Sequence, residues 1–318
     1  MKKRTRMKDL ADAAGISISQ VSRALAQKPD VAPEVREAVH RLAREMNYRN
    51  CAAVHRPTVA LLVRYLGEFC SNLVNELIRS GRERGWQIVV VPAGELDFLN
   101  DRQFDGAVSV SAGDFSRNWH ERFGIPLVML NSYGWLLDRV CSVFPDSNGE
   151  SRLAMEHLIG LGHRKIARLR IVADDATEKE INRGYDEFRC VAAEYGIPNS
   201  VRYVHAPTLA RLKEEVRTLI AEGFTAFVAI LMAEVSELME TVRACDRRIP
   251  EDVSLVAYEA DGLTAHLSPP VTALAYDYPR LAERALDQLA LEMKGGGVLN
   301  SIVVPGRLIV RGSTALRR

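Results

Sequence analysis

Cysteine is scarce in this 318-residue chain, and long apolar runs are absent. The five cysteines are odd in number and form no CxxC pair, which argues against a disulfide framework and a zinc site (Cys51, Cys70, Cys141, Cys190 and Cys245). No apolar run approaches the ~18 residues of a membrane-spanning helix. The first residues are charged and lack the apolar segment of a secretory signal peptide, so we expect a cytoplasmic protein.

Signatures of catalysis and of nucleotide binding are also missing. The chain contains no GxSxG, HExxH or GxxxxGK[ST] segment. Residues capable of acid–base chemistry are present without any nucleophile motif beside them (Asp146, His163, Glu180, Glu259 and His266). The sequence therefore predicts a protein that is not an enzyme and that requires neither a metal ion nor a cofactor.

The net charge of +1 hides an uneven distribution. Residues 1–57 carry twelve Lys and Arg against six Asp and Glu, a net charge of +6, so the remaining residues carry −5. A basic segment joined to an acidic one is the electrostatic pattern of a phosphate-binding module attached to a larger body. We therefore expect double-stranded DNA as a partner of the N-terminal segment.

The segment from Met7 to Tyr48 has the pattern of three short helices. Its apolar residues recur at helical spacing in three blocks (Leu10, Ala14, Ile16, Val21, Leu25, Val35, Val39, Leu42 and Met46). Gly15 separates the first two blocks, and Lys28-Pro29-Asp30 separates the second from the third. Three small helices with a tight first turn predict a helix-turn-helix, which places its second helix in the DNA major groove.

The second predicted helix carries DNA-reading chemistry on one face. Ser17 and Gln20 have the spacing of a capping box, which starts the helix at Ile18. Val21, Ala24 and Leu25 share the face directed into the core. The opposite face presents an apolar side chain, two hydroxyls and a guanidinium, which suit thymine methyls, phosphates and guanine edges (Ile18, Ser19, Ser22 and Arg23).

After residue 57, short apolar runs alternate with amphipathic helices. The predicted strands are Val59–Val63, Ile88–Val91, Ala107–Val110, Pro126–Leu130, Val140–Phe144, Lys165–Ile171, Phe224–Leu231, Val253–Ala257 and Ser301–Val304. The predicted helices lie near Ser71–Arg84, Glu150–Ile159 and Ile181–Tyr195. This alternation indicates parallel sheets covered on both faces, and roughly ten strands suit two sheets better than one. Paired α/β lobes bind small molecules in the cleft between them.

Several segments, in this order, resemble recurrent segments of the LacI/GalR family of bacterial transcription regulators. They are KDLADAAGISISQVSRAL, FDGAVSVSA, FGIPLVMLN, HLIGLGHRKIA, IPEDVSLVAYEADGLTAHLSPPVTAL and RLIVRGST. The resemblance covers essentially the whole chain. It implies an all-α helix-turn-helix head, a hinge, and an α/β body with two Rossmann-like lobes of the periplasmic-binding-protein type.

The resemblance also implies a domain plan and a mechanism. The head and hinge would occupy residues 1–57 and the effector-binding, dimerising body residues 58–318. One lobe would comprise residues 58–147 with 278–304, the other residues 148–277 with 305–318. A homodimer, or a tetramer, would bind a near-palindromic operator in the bacterial cytoplasm at the nucleoid, most often as a repressor. A small-molecule effector would shift the angle between the lobes and move the heads.

The hinge departs from the family pattern. Family hinges usually read Tyr-x-Pro-Asn and end in a Leu that enters the minor groove, whereas Tyr48 is followed here by Arg49 and Asn50, and Pro57 occupies the place of the Leu. Because proline cannot continue a helix, we expect any hinge helix to end by Arg56. Val54 is the candidate replacement for the wedge. The predicted DNA-binding residues are Arg6, Ser17, Ile18, Ser19, Gln20, Ser22, Arg23, Tyr48 and Val54.

The effector pocket departs further. The Arg that usually precedes Gly184-Tyr185 by three residues is Ile181 here, the usual Asn-Asp pair is Leu231 and Met232, and an Asp is replaced by Glu259. Positions that line family clefts predict an effector set of Tyr65, Phe69, Ser71, Asn131, Asp146, Arg183, Leu231, Met232 and Glu259. Since apolar residues replace polar ones, two readings stay open: an effector less rich in hydroxyls than a hexose, or an effector-independent regulator whose body only dimerises.

Overall fold

The chain divides into two units, residues 1–57 (the head) and 58–318 (the body). The computed structural model describes residues 5–25, 28, 30–46, 48, 56–92, 104–113, 116–117, 123–132, 137, 139–172, 184–259, 262–299 and 301–317. Among these residues no helix is long and apolar enough to cross a membrane.

The head contains three helices in its described part: α1 (Met7–Ala14), α2 (Ile18–Leu25) and α3 (Pro33–Glu45). Each contributes fully buried side chains to one small core, among them Leu10, Val21 and Val39. Gly15 ends α1 with φ +67°, a left-handed conformation that L side chains rarely adopt. The tight turn between α1 and α2 therefore depends on glycine, and the predicted helix-turn-helix is confirmed.

The body alternates strands and helices. Its described strands are β1 (Thr58–Val63), β2 (Gln87–Pro92), β3 (Gly106–Val110), β4 (Leu127–Leu130), β5 (Cys141–Pro145), β6 (Ile166–Ile171), β7 (Val201–Ala206), β8 (Ala226–Val228), β9 (Ser254–Tyr258), β10 (Thr272–Ala275), β11 (Ser301–Val304) and β12 (Arg307–Ile309). Its described helices are α4 (Glu68–Glu83), α5 (Ser147–Gly160), α6 (Tyr185–Glu194), α7 (Leu209–Ala221), α8 (Met232–Ala244), α9 (Leu263–His266) and α10 (Tyr278–Met293).

Two six-stranded sheets organise the body. Sheet A has the strand order β11-β5-β4-β3-β1-β2, and sheet B has the order β12-β10-β9-β8-β6-β7. On β1, Val59, Leu61 and Val63 pack with α4 and α10 on one face, while Ala60 and Leu62 face a second apolar cluster. Because both faces of the sheet are covered at its inner strands, strands such as β1 and β4 are apolar almost throughout rather than alternating.

The chain crosses between the sheets at three places. It passes from β5 to α5 at Asp146, from β10 to α10 at Tyr276 and Asp277, and from β11 to β12 at Pro305 and Gly306. These crossings lie near the positions implied by the family resemblance. The fold class expected from the sequence, a helical head followed by an α/β body with two parallel-sheet lobes, is confirmed.

Some predicted elements were wrong in extent or missing. The strand predicted over Phe224–Leu231 is limited to Ala226–Val228, because the Glu234 carboxylate accepts the Ile230 and Leu231 N–H groups (2.6 and 2.9 Å) and starts α8. The strands β7, β10 and β12 were not predicted. The last of these pairs antiparallel with β10, so sheet B is not fully parallel.

Candidate DNA-binding face and effector cleft

The start of α2 has the predicted capping box. The Ser17 N–H donates to Gln20 Oε1 (3.1 Å), and the Gln20 N–H donates to Ser17 Oγ (3.2 Å). These reciprocal bonds satisfy two of the N–H groups that every helix start leaves unpaired. They also fix the orientation of the Gln20 side chain at the end of the helix that a major groove would meet first.

The two faces of α2 separate as the spacing predicts. Val21, Ala24 and Leu25 are buried in the head core. Ile18 is 48% exposed, an unusual position for a large apolar side chain on a small domain. The polar residues beside it are exposed or half-buried (Ser19, Gln20, Ser22 and Arg23). This face can meet base edges and phosphates without disturbing the core.

The other predicted DNA-binding residues of the head have different surroundings. Arg6 is exposed and precedes α1, and its N–H donates to Asp9 Oδ2 (2.6 Å). Thr5 does not cap α1; its hydroxyl donates to the Met46 carbonyl (2.7 Å) and ties the start of α1 to the end of α3. Tyr48 packs against the head core. Val54 lies outside the described residues.

At the carboxyl ends of the sheet A strands lies a polar cluster. Ser111 and Asn131 adopt left-handed φ values of +51° and +57° as they leave β3 and β4. Asn131 Nδ2 donates to Ser111 Oγ (2.8 Å), which is 3.5 Å from Cys70 Sγ. Burial raises the pKa of the Cys70 thiol, and hydrogen bonds with Ser111 and Tyr65 partly oppose this rise. Carboxyl ends of parallel strands are where open α/β sheets bind ligands.

An aromatic cluster joins the two lobes. Phe69 on α4 meets Tyr276 edge-on (4.9 Å between ring centroids), and Tyr276 stacks on Tyr258 of β9 (5.3 Å). Tyr278 lies against both Phe69 and Tyr276 (5.5 and 5.7 Å). Only Phe69 belonged to the predicted effector set. The available sequence signal was the position of Tyr258 directly after the predicted strand Val253–Ala257, whereas Tyr276 and Tyr278 follow β10, which was not predicted.

The predicted effector carboxylates have partners within the chain. Asp146 Oδ1 accepts the Gly149 N–H (2.9 Å) and caps α5. Glu259 accepts from the Thr264 hydroxyl (2.6 Å) and forms an ion pair with Arg311 (2.5 Å), at side-chain exposures of 16% and 17%. Both groups therefore have structural roles before any ligand is considered.

The remaining effector residues are spread over both lobes. Tyr65 is exposed after β1, and the Ser71 hydroxyl donates to the Leu66 carbonyl (3.2 Å). Leu231 is exposed and Met232 half-buried at the start of α8. Beneath them the Glu234 carboxylate also accepts the Ile171 N–H (2.6 Å), and burial raises its pKa against the effect of its three backbone donors. Arg183 lies outside the described residues.

Arg168, which was not predicted, is a buried cation in the middle of β6. It is 2% exposed, its Nη1 donates to Ser151 Oγ (2.8 Å), and its guanidinium lies 5.4 Å from the Tyr203 ring centroid. A side chain at Gly184 would collide with Arg168 and Ser151. Arg168 and Gly184 therefore set the packing of α6 against α5. The position of Arg168 between Ala167 and Leu169 in the predicted strand Lys165–Ile171 was the sequence signal.

Two family models match the chain. Residues 155–314, half of the chain, match a periplasmic binding protein-like domain, and residues 6–50 match the lacI family of bacterial regulatory proteins. The chain belongs to the LacI family. Family members are transcriptional regulators rather than enzymes, so the LacI-family chain is a DNA-binding transcriptional regulator.

Curated relatives and solved structures match this LacI-family protein over most of its length. The transcriptional regulator DegA of Bacillus subtilis is 26% identical over 98% of both chains, and a ribose operon repressor of Lactococcus lactis is 24% identical over 85% of each. A complex of the regulator CelR with cellobiose is 26% identical, covers 98% of this chain and all of its own, and gives a TM-score of 0.68. The lac repressor dimer bound to operator, 19% identical, covers 98% of this chain and all of its own, and shares its fold with a TM-score of 0.71.

Proposed function

We propose that the protein is a cytoplasmic homodimeric repressor that binds a near-palindromic operator through α2 and is controlled by a small-molecule effector in the cleft between the lobes. The observation that carries this proposal is the exposed face of α2, where Ile18, Ser19 and Arg23 stand on a helix held by a capping box and a buried core. Several relatives are named as repressors, and solved relatives hold ribose, lactose or cellobiose. A sugar or a related metabolite is therefore the proposed effector class.

Replacing Arg23 by alanine is expected to weaken operator binding by ~1–3 kcal/mol and to relax selectivity at one base pair, because an Arg fork discriminates guanine from other bases. The operator is selected from random DNA with the unmodified protein, and dissociation constants are then measured for all single-base variants. Arg41→Ala on α3, which removes the same charge from an exposed position of the head, is the control. We expect it to affect all sequences equally; an Arg23 variant that behaves the same way would contradict docking through α2.

A second function, regulation without an effector, is favoured by one observation. The polar groups of the predicted pocket are already engaged within the chain: Asp146 by the Gly149 N–H, Asn131 by Ser111, and Glu259 by Arg311 and Thr264. A ligand would have to share or replace these bonds, whereas a body that only pairs two heads needs them for its own packing.

Thermal unfolding against a panel of sugars, sugar acids, polyols and nucleosides distinguishes these functions. An effector at ~100 times its dissociation constant should stabilise the body by about 2.7 kcal/mol, which raises the melting temperature. Tyr65→Ala should abolish the shift because Tyr65 is exposed at the carboxyl end of β1. Tyr195→Ala, which changes another exposed tyrosine directly after α6, should leave it intact. No shift with any compound, together with intact operator binding, would support effector-independent regulation.

A further inference from the structure

An acidic residue lies beside the DNA-reading face of the head. Asp30, in the turn between α2 and α3, has its Oδ2 atom 3.3 Å from Arg23 Nη1, and both side chains are about half exposed (55% and 50%). An isolated ion pair this exposed adds little stability. A carboxylate on a surface that meets phosphates also opposes binding. Neither protein stability nor attraction to DNA therefore explains the presence of Asp30 at this position.

We propose that Asp30 is a positioning residue: it holds the Arg23 guanidinium in the orientation that reads a base, and so increases selectivity while reducing general affinity for DNA. This inference rests on the proposed docking of α2 in the major groove.

The backbone around Asp30 is suited to a fixed support. The next residue, Val31, is buried in the head core, and its N–H donates to the Lys28 carbonyl (3.3 Å). The Lys28 N–H in turn donates to the Arg23 carbonyl (3.1 Å). The turn that carries Asp30 is thus hydrogen-bonded to the backbone of Arg23, and Asp30 contacts the side chain of the same residue.

The geometry leaves the reading edge of Arg23 available. A guanidinium has five N–H donors in a planar fork, and the contact with Asp30 uses Nη1 alone among the described residues. Nη2 and Nε remain for a bidentate pair with guanine O6 and N7. Because a long arginine side chain loses rotamer entropy when it is fixed, a carboxylate that orders it before binding favours the base contact over a loosely held phosphate contact.

The test compares Asp30→Asn with Asp12→Asn in the full-length protein. Both replacements remove one negative charge from the head with little change of shape, and Asp12 is an exposed residue of α1. Binding is measured to the selected operator, to all its single-base variants and to random DNA at several salt concentrations. We expect both variants to bind random DNA as tightly as the unmodified protein or more tightly. Only Asp30→Asn should lose preference, by up to about fivefold, at the base pair where Arg23→Ala loses it.

Asp30→Glu separates positioning from folding, because it keeps a carboxylate within reach of Arg23 and should recover most of the lost preference. If Asp30→Asn keeps or sharpens the preference, the carboxylate only competes with DNA for Arg23 and the proposal is overturned. If Asp30→Asn weakens all base preferences equally and Asp30→Glu does not restore them, the residue acts through the turn alone and the proposal also fails. A failure of Arg23→Ala to change any preference would instead contradict the docking of α2.

Discussion

Replacing Arg311 by alanine is expected to lower the free energy of unfolding of the body by about 3 kcal/mol, since removing one partner leaves the other charge, only 16% exposed, without its counter-ion. Arg311 Nη2 meets Glu259 Oε2 (2.5 Å), and its Nη1 donates to the Thr264 hydroxyl (2.8 Å) and the Val271 carbonyl (2.6 Å). These bonds tie the segment after β12 to the residues that follow β9. The loss therefore removes an ion pair and several hydrogen bonds at once.

Urea unfolding at fixed protein concentration measures the effect. Arg307→Ala is the matched control, because Arg307 is an exposed arginine on the neighbouring β12 and should change stability by less than about 0.5 kcal/mol. In the double variant Glu259→Gln with Arg311→Met, both charges disappear and most of the stability should return. A double variant as unstable as Arg311→Ala would show that the charge pair is not the cause.

The ion pair between Glu259 and Arg311 also affects the predicted role of Glu259 in effector binding. Glu259 was predicted as an effector ligand from its place in the family pattern, but its carboxylate is committed to Arg311 and Thr264, of which Arg311 lies 52 positions away. A pairing across that distance follows from the return of the chain beside β10, which local sequence patterns do not encode. The same limit applies to Arg168 and Ser151, which belong to different elements.

The head was predictable for the opposite reason. The capping box of Ser17 and Gln20, the turn at Gly15 and the spacing of Val21 and Leu25 are all contained within one or two helical turns. Local hydrogen bonds and side-chain periodicity determine such features directly. By contrast Asp30, seven residues from Arg23, requires knowledge of how the turn after α2 folds back.

Some strands could be predicted from local sequence and others could not. Continuous apolar runs such as Leu127–Leu130 mark strands buried on both faces. The edge strand β7 was missed because exposed Arg202 and His205 interrupt its apolar pattern, and β12 was missed because it has only three residues at the opposite edge from β7. Edge strands bury less of their surface and carry a weaker signal.

Stability of the body is expected to fall by about 2 kcal/mol when the pH decreases from about 7.5 to about 5, through protonation of His163 in the unfolded state. His163 is buried, and burial lowers its pKa to about 4, with smaller contributions from the charges of Arg317, His157 and Arg164. The ordinary pKa of histidine is 6.5, so between pH 6.5 and 4 the unfolded chain binds a proton at His163 and the folded chain does not. The stability present above pH 6.5 is therefore lost as the pH falls towards 4.

The hydrogen bonds of His163 explain why its ring stays neutral in the folded protein. Nε2 lies 3.2 Å from the Ala315 carbonyl, which can only accept, so Nε2 carries the proton of the neutral ring. Nδ1 then accepts from the Thr225 hydroxyl (2.9 Å), and Ser254 Oγ lies 2.8 Å from Nε2 while accepting the Ala315 N–H (3.1 Å). A second proton on Nδ1 would require Thr225 to reverse its bond in a buried site.

Urea unfolding of the unmodified protein and of His163→Gln at both pH values tests this account. Glutamine keeps a donor and an acceptor but does not titrate, so the loss at low pH should shrink by about 2 kcal/mol in this variant. His266→Gln, the same replacement at an exposed histidine at the end of α9, is the control. His157, whose pKa burial also lowers, should contribute a smaller part that His157→Gln removes. If His163→Gln loses as much stability as the unmodified protein, the buried ring is not the acid-sensitive group that joins the C-terminal segment to sheet B.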